Sequence, residues 1–143
     1  MKIKYSILLL PLIITGCFFG EVGSGFTSKT CTRQTSINDI TLIEEKVIKQ
    51  KDNKIVSVVV SNRIVGESNE TFKALQNSYL SEANNLKSLG IFVNINEEVK
   101  NEYSVSYEFD FSTLSEELKR KYEFKELYHN QLKKYEDEGY KCK

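Results

Sequence analysis

Three cysteines, one histidine and several runs of carboxylates are the residues of this 143-residue chain whose types could do chemistry. Cys17 stands directly behind Thr15-Gly16, small residues that follow the apolar run Ile7 to Ile14 and the basic start at Lys2 and Lys4. That order of basic, apolar and small residues reads as an export signal. Cys31 and Cys142 lie near the two ends of what remains. Export would put them in a compartment that permits disulfides. A bridge between them closes a loop of more than 100 residues, worth about 4–5 kcal/mol in the chain-entropy model; the alternative is two unrelated thiols in frayed termini. Neither has the helix-N-terminal or cationic setting that activates a thiol.

His129 is the single histidine and falls in a helical pattern beside Tyr128 and Asn130. No nucleophile-elbow pattern surrounds it, so a histidine at the solvent boundary is the simpler reading than a catalytic base. Glu97-Glu98, Glu116-Glu117 and Glu136-Asp137-Glu138 could run glycoside hydrolysis if two were held about 5–9.5 Å apart across a cleft. Each group is adjacent in sequence and interspersed with lysines, as on a solvated face. Two distant cysteines and one histidine without C-x-x-C make no zinc site, and no calcium-loop pattern occurs. Gly20, Gly23 and Gly25 neither follow a strand nor open a helix, so they form no phosphate cradle. No cofactor is expected.

The cysteine after Ile14-Thr15-Gly16 resembles the lipobox of bacterial lipoproteins. That resemblance implies a signal peptide over residues 1–16 and a diacylglycerol (palmitate-bearing) thioether on Cys17, which becomes the first mature residue. A plain secretory signal and a short membrane span are the competing readings. The span is disfavoured because Pro11, Thr15 and Gly16 interrupt a run that would need about 20 apolar residues. Residues 17–28 then read as a lipidated tether, loosened by Gly20, Gly23 and Gly25. Residues 29–143 form a single domain. Lys2 and Lys4 leave with the signal, so 18 basic residues face 20 acidic ones and the mature net charge is −2. An evenly mixed balance argues against nucleic acid as a partner. With no polybasic run in the sequence, membrane attachment is expected to rest on the acyl chains.

Behind these residues stand the elements that must position them. Strand signals begin at Lys29–Thr35, and Asn38-Asp39 makes a turn. Runs Ile40–Gln50 and Lys54–Val65, joined by Lys51-Asp52-Asn53, predict a hairpin. Val56, Val58, Val60 and Ile64 are expected on one face, with Ile55 on the other. Glu44-Glu45-Lys46 interrupt the first run and suggest a bulge or an exposed edge. Ser68 or Asn69 caps a helix with Phe72, Leu75, Tyr79, Ala83 and Leu86 at helical spacing, ended by Gly90. Ile91 to Ile95 and Tyr103 to Phe111 form a second hairpin around Lys100-Asn101-Glu102. A capping box at Thr113 and Glu116 opens the last helical stretch, which runs through Phe124, Tyr128 and Tyr135, with a kink, to Gly139. The tyrosines are expected chiefly to pack helix against sheet. This order predicts an α+β fold: an antiparallel sheet built from hairpins, with two to three helices packed on one face.

The order of elements, the Cys17 lipobox, Lys51-Asp52-Asn53-Lys54-Ile55-Val56, Leu89-Gly90-Ile91, Asp110-Phe111 and Glu138-Gly139-Tyr140-Lys141 together resemble the YehR-like family of small bacterial lipoproteins, a domain of unknown function. The resemblance covers the chain from about Lys29 onwards and carries over no functional residue. Two functions follow as expectations. The first is a lipid-anchored, non-catalytic envelope module, extracytoplasmic at the cell or outer membrane, that binds an envelope protein or a small ligand. The second is a small envelope hydrolase using carboxylates.

Overall fold

The computed structural model describes residues 25–97 and 99–143. Nine elements follow one another in these residues: β1 (Phe26–Ile37), β2 (Ile40–Lys51), β3 (Lys54–Val65), α1 (Glu70–Ser88), β4 (Phe92–Asn96), β5 (Glu102–Asp110), α2 (Glu116–Lys121), α3 (Tyr128–Asp137) and β6 (Lys141–Cys142). The strands make one six-stranded sheet in the order β4-β5-β3-β2-β1-β6, and every pairing is antiparallel. The expected α+β architecture is the one observed.

Turn chemistry explains the meander. Asn38 and Asp39 have φ of +46° and +63°, and Asp52 and Asn53 of +52° and +60°. Two consecutive left-handed residues make the hairpin turns whose twist matches that of the strands, and Asn and Asp tolerate that region best after glycine. Gly66 has a different reason to be glycine. At φ +155° a Cβ there would come within 2.6 Å of Ile40 Cδ1 and 3.0 Å of the Asp39 carbonyl oxygen, so the end of β3 lies flush on the β1–β2 turn.

The helices cover one face of the sheet. Phe72, Ala83 and Leu86 of α1 and Leu118 of α2 pack with Ile40, Leu42, Ile64, Tyr103, Val105, Tyr107 and Phe109. Tyr135 and Tyr140 pack with Cys31, Ile48, Ile55 and Val58. Phe109, Tyr122 and Phe124 stack between these two groups, with ring centroids 4.8–5.9 Å apart. Tyr103 and Tyr107 are fully buried, in keeping with tyrosines that pack the fold together.

Four details depart from the sequence expectation. Phe26–Ser28, expected in the tether, are the first three residues of β1. Glu44 and Lys46 lie in an interior strand with no bulge beside them; the register shifts at Lys49/Gln50, where β3 carries Val56 as an extra residue. That bulge reverses the alternation and turns Ile55 into the core, where Val56 was expected. The N-cap of α2 is Ser115, whose Oγ accepts the Leu118 N–H at 3.2 Å, and not Thr113. The last helical stretch is two helices, because residues 122–127 leave helical geometry at Glu123 (φ +52°) and return at Tyr128.

Candidate functional site

Along β2 the residues of one parity are Ile40, Leu42, Glu44, Lys46 and Ile48, and the ends of that series are buried. Glu44 and Lys46 therefore face the helices. They form the floor of a cleft of about 230 Å³ together with Val60 and Asn62 of β3. Tyr79 and Glu82 of α1 make one wall; Tyr107, Tyr122, Phe124 and Tyr135 close the rest. α1 packs over β3, β4 and β5 while α3 packs over β1 and β6, so the sheet between them is left for this cleft.

Most of its charges are matched. Arg33 donates to Glu44 Oε2 through Nε at 2.8 Å and lies within 2.7 Å of it through Nη2. The Tyr140 hydroxyl donates to Glu44 Oε1 at 3.2 Å. Tyr122 donates to Glu82 Oε1 at 2.7 Å; burial first, and then that carboxylate, push its phenol pKa up. Lys46 Nζ sits 4.3 Å from the Tyr135 ring centroid and 4.4 Å from that of Tyr140, 3.7 Å from Glu138 Oε2. Burial lowers its pKa, against the pull of Glu138.

One group is left over. The Tyr107 hydroxyl is buried in the cleft lining without a hydrogen-bond partner of good geometry, although the Asn62 side chain is near enough to pull its pKa down against the effect of burial. Burial, then Glu82, raise the pKa of Tyr107. A buried hydroxyl without a partner costs about 1–3 kcal/mol, so a ligand oxygen or nitrogen entering here would find a waiting donor.

The residues singled out from sequence fall elsewhere. Cys31 and Cys142 are disulfide-bonded, with S–S 2.02 Å and Cα–Cα 3.9 Å. They face each other across β1 and β6. The neighbouring pair exchanges two bonds, Thr30 N–H to Lys143 O at 3.1 Å and Lys143 N–H to Thr30 O at 2.9 Å. The cysteines thus occupy a non-hydrogen-bonded pair, where opposing Cα atoms come closest. His129 is exposed and bonded to Asn53. Glu116 pairs with Lys119 at 2.7 Å and Asp137 with Lys133 at 2.8 Å; Glu116 lines a separate surface cleft of about 400 Å³ with Glu123 and Glu126, interleaved with Lys119, Arg120 and Lys125. Cys17 and Glu98 lie outside the described residues. Among the described residues no group of three His, Cys, Asp or Glu could hold a metal ion, and no helix is long and apolar enough to cross a membrane. Glu44, Lys46 and Asn62 were missed as site residues, although two charges on the otherwise apolar parity of β2 were the readable signal.

No protein-family model and no curated protein matches the chain. Its fold is similar to the NMR structure of a protein from Streptococcus pneumoniae TIGR4, at a TM-score of 0.54 and 15% identity, over 82% of this chain and 85% of that one. At that identity the likeness concerns the fold alone.

Proposed function

We propose that the chain is a non-catalytic binding module, held at an extracytoplasmic membrane surface through acylated Cys17, that takes a small polar ligand in the cleft between α1 and α3. The unpartnered Tyr107 hydroxyl carries this reading, because a buried orphan donor in a concave, aromatic-lined site is a place for a ligand atom. The charges of the cleft balance: Glu44 and Glu82 face Lys46, with Arg33 on Glu44. That balance favours a neutral or zwitterionic ligand of sugar-ring size, since about 230 Å³ lies below the roughly 300–1,000 Å³ of drug-sized sites. The lipobox residues and the resemblance to YehR-like lipoproteins support the anchored location.

A second reading, a small envelope hydrolase, draws on the presence of Glu44 and Glu82 in one cleft. Against it, Glu44 already accepts from Arg33 and Tyr140, and Glu82 from Tyr122, which leaves neither without a partner. An NMR titration of the chain with small sugars, polyols and amino acids tests the binding reading. Shifts are expected to cluster on Asn62, Tyr79 and Tyr107 and to vanish in Tyr107→Phe. A panel in which no compound moves these residues would overturn it, and turnover of a chromogenic glycoside lost in Glu82→Gln would favour the hydrolase.

A further inference from the structure

The corner of the sheet where the described chain begins has an unusual charge arrangement. Phe26 stands opposite Lys51 across β1 and β2, Ser28 opposite Lys49, and Lys51 opposite Lys54 across β2 and β3. Directly opposed residues share a face, as do residues two apart on a strand. Lys49, Lys51 and Lys54 therefore crowd one corner of the sheet face that the helices leave open. Like charges directly opposed in a sheet are destabilising, yet none of the three has an ion-pair partner among the described residues. Asp52 lies in the intervening turn. Glu108 and Asp110 stand farther off on β5, and Asp110 is held by Ser112, whose N–H and hydroxyl donate to it at 2.8 and 2.7 Å. Two of the ammonium groups lie over Phe26 instead, Lys49 Nζ 4.8 Å and Lys51 Nζ 5.2 Å from its ring centroid. Phe26 is 38% exposed, and Leu127, joined to Lys54 by an isolated bridge, is 39% exposed.

We propose that this corner docks on the surface of an anionic phospholipid bilayer, with the three ammonium groups among the headgroup phosphates and Phe26 at the interface. The proposal rests on the lipid-anchored reading above and adds an orientation to it. Its geometry comes from chain length. Cys17 and Gly25 are eight positions apart, and such a segment spans at most about 28 Å. β1 is 12 residues long, or about 40 Å. An anchor at Cys17 therefore keeps the Phe26 corner within reach of the bilayer, while the Ile37 end stands farthest from it. Lysines scattered over two strands make no polybasic run in the sequence, and the hairpin brings them together. Each lysine near an anionic surface strengthens association about 5-fold, so three contribute about 100-fold.

The test uses the full chain carrying Phe26→Trp, extracted from the membranes of an expressing bacterium; the sequence has no tryptophan, so the reporter indole is unique. It is reconstituted into vesicles of phosphatidylcholine alone or with phosphatidylglycerol, each containing brominated lipid. The anchor predicts flotation with both vesicles. Docking predicts quenching of the indole only with phosphatidylglycerol, removed by ~0.5 M salt and by Lys49→Gln/Lys51→Gln/Lys54→Gln. Quenching that is absent, or equal in the two vesicles, overturns docking while flotation leaves the anchor standing. If the protein fails to float with phosphatidylcholine, the anchor reading falls; docking then stands if the protein still floats with phosphatidylglycerol in a lysine-dependent way, and falls if it does not. A circular-dichroism spectrum and thermal melt matching those of the parent certify the fold of the triple variant.

Discussion

Asn53 grips His129 at two points: its Oδ1 accepts the His129 backbone N–H at 3.2 Å, and its Nδ2 donates to the ring Nδ1 at 2.8 Å. The Asn53 carbonyl also accepts the Tyr128 N–H at 2.9 Å. A turn residue thus caps α3 from outside, where the helix's own N-cap, Leu127, has no side-chain bond to offer. This fixes α3, and with it Tyr135 over Lys46, to the β2–β3 hairpin.

The cap should be measurable. Asn53→Gly keeps the left-handed φ of +60° at no steric cost while deleting the side-chain bonds; a loss of about 1 kcal/mol is expected for those hydrogen bonds. Asn53→Ala should lose about 1 kcal/mol more, because a Cβ is disfavoured at that φ. Urea unfolding decides the matter, and a glycine variant as stable as the parent would show that the cap contributes nothing.

The Cys31–Cys142 bridge joins residues 111 apart in sequence and ties the middle of β1 to the short edge strand β6. Chain entropy puts its contribution at about 4–5 kcal/mol. Reductant should lower the melting temperature while the far-ultraviolet spectrum is unchanged at 25 °C. Alkylation of the oxidised protein without reduction should label neither cysteine. Quantitative labelling of both in protein taken from the envelope would remove the bridge from the native state.

Acid should weaken the α3–β6 end. Burial opposes ionisation of Glu138, but Lys134, at 2.6 Å, with Lys46 and Arg33, outweighs it and holds the carboxyl below its ordinary value of 4.5. A carboxyl pKa depressed in the folded state contributes stability that is present above the unfolded value and is lost as pH falls through the folded one. Stability should therefore decline as pH drops below about 4.5, and Glu138→Gln should flatten that decline. An identical pH profile for the variant would dismiss the role.

The alternation and turn chemistry of the sequence were enough to find the sheet, since Asn38-Asp39, Asp52-Asn53, Gly90 and Gly139 each stand where the chain reverses or a helix stops. The cleft was not legible to the same degree. Glu44 and Lys46 look like an exposed or bulged stretch because charge on a strand usually means solvent. Only the tertiary arrangement, with α1 and α3 set apart, Arg33 arriving from β1 and Glu138 and Tyr140 from the connection between α3 and β6, shows what pairs with them. The bulge at Val56 was hidden for a related reason: it depends on register with Gln50, which a single strand does not encode.

Lys46 separates stability from function. Its ammonium is held in the protein with its pKa lowered by burial, so the charged form is disfavoured on folding. Stability from this residue should rise with pH as it passes through the folded pKa toward 10.5, because the unfolded chain binds the proton more tightly. Lys46→Met keeps the stem and leaves Glu44 with Arg33, and Glu138 with Lys134. It should match or exceed the parent by about 1 kcal/mol while abolishing any ligand-induced shifts at Asn62 and Tyr107. A destabilised variant would show that the lysine is there for the fold.

The proposed anchor depends on one sulfur. Thioether formation at Cys17 has no substitute nucleophile nearby, because Thr15 and Gly16 carry no thiol and Cys31 is consumed by the bridge. Cys17→Ala should therefore abolish incorporation of a clickable fatty acid and leave the precursor unprocessed, about 1.5–2 kDa heavier in polypeptide than the mature form if residues 1–16 are the leader. The domain has no need of that sulfur, so the variant should keep its Cys31–Cys142 bridge and its melting temperature wherever it still reaches an oxidising compartment. Fatty-acid labelling of the variant at the level of the parent would overturn the lipid attachment at Cys17. A parent that takes up no fatty acid, with normal processing of parent and variant alike, would instead identify a plain export signal.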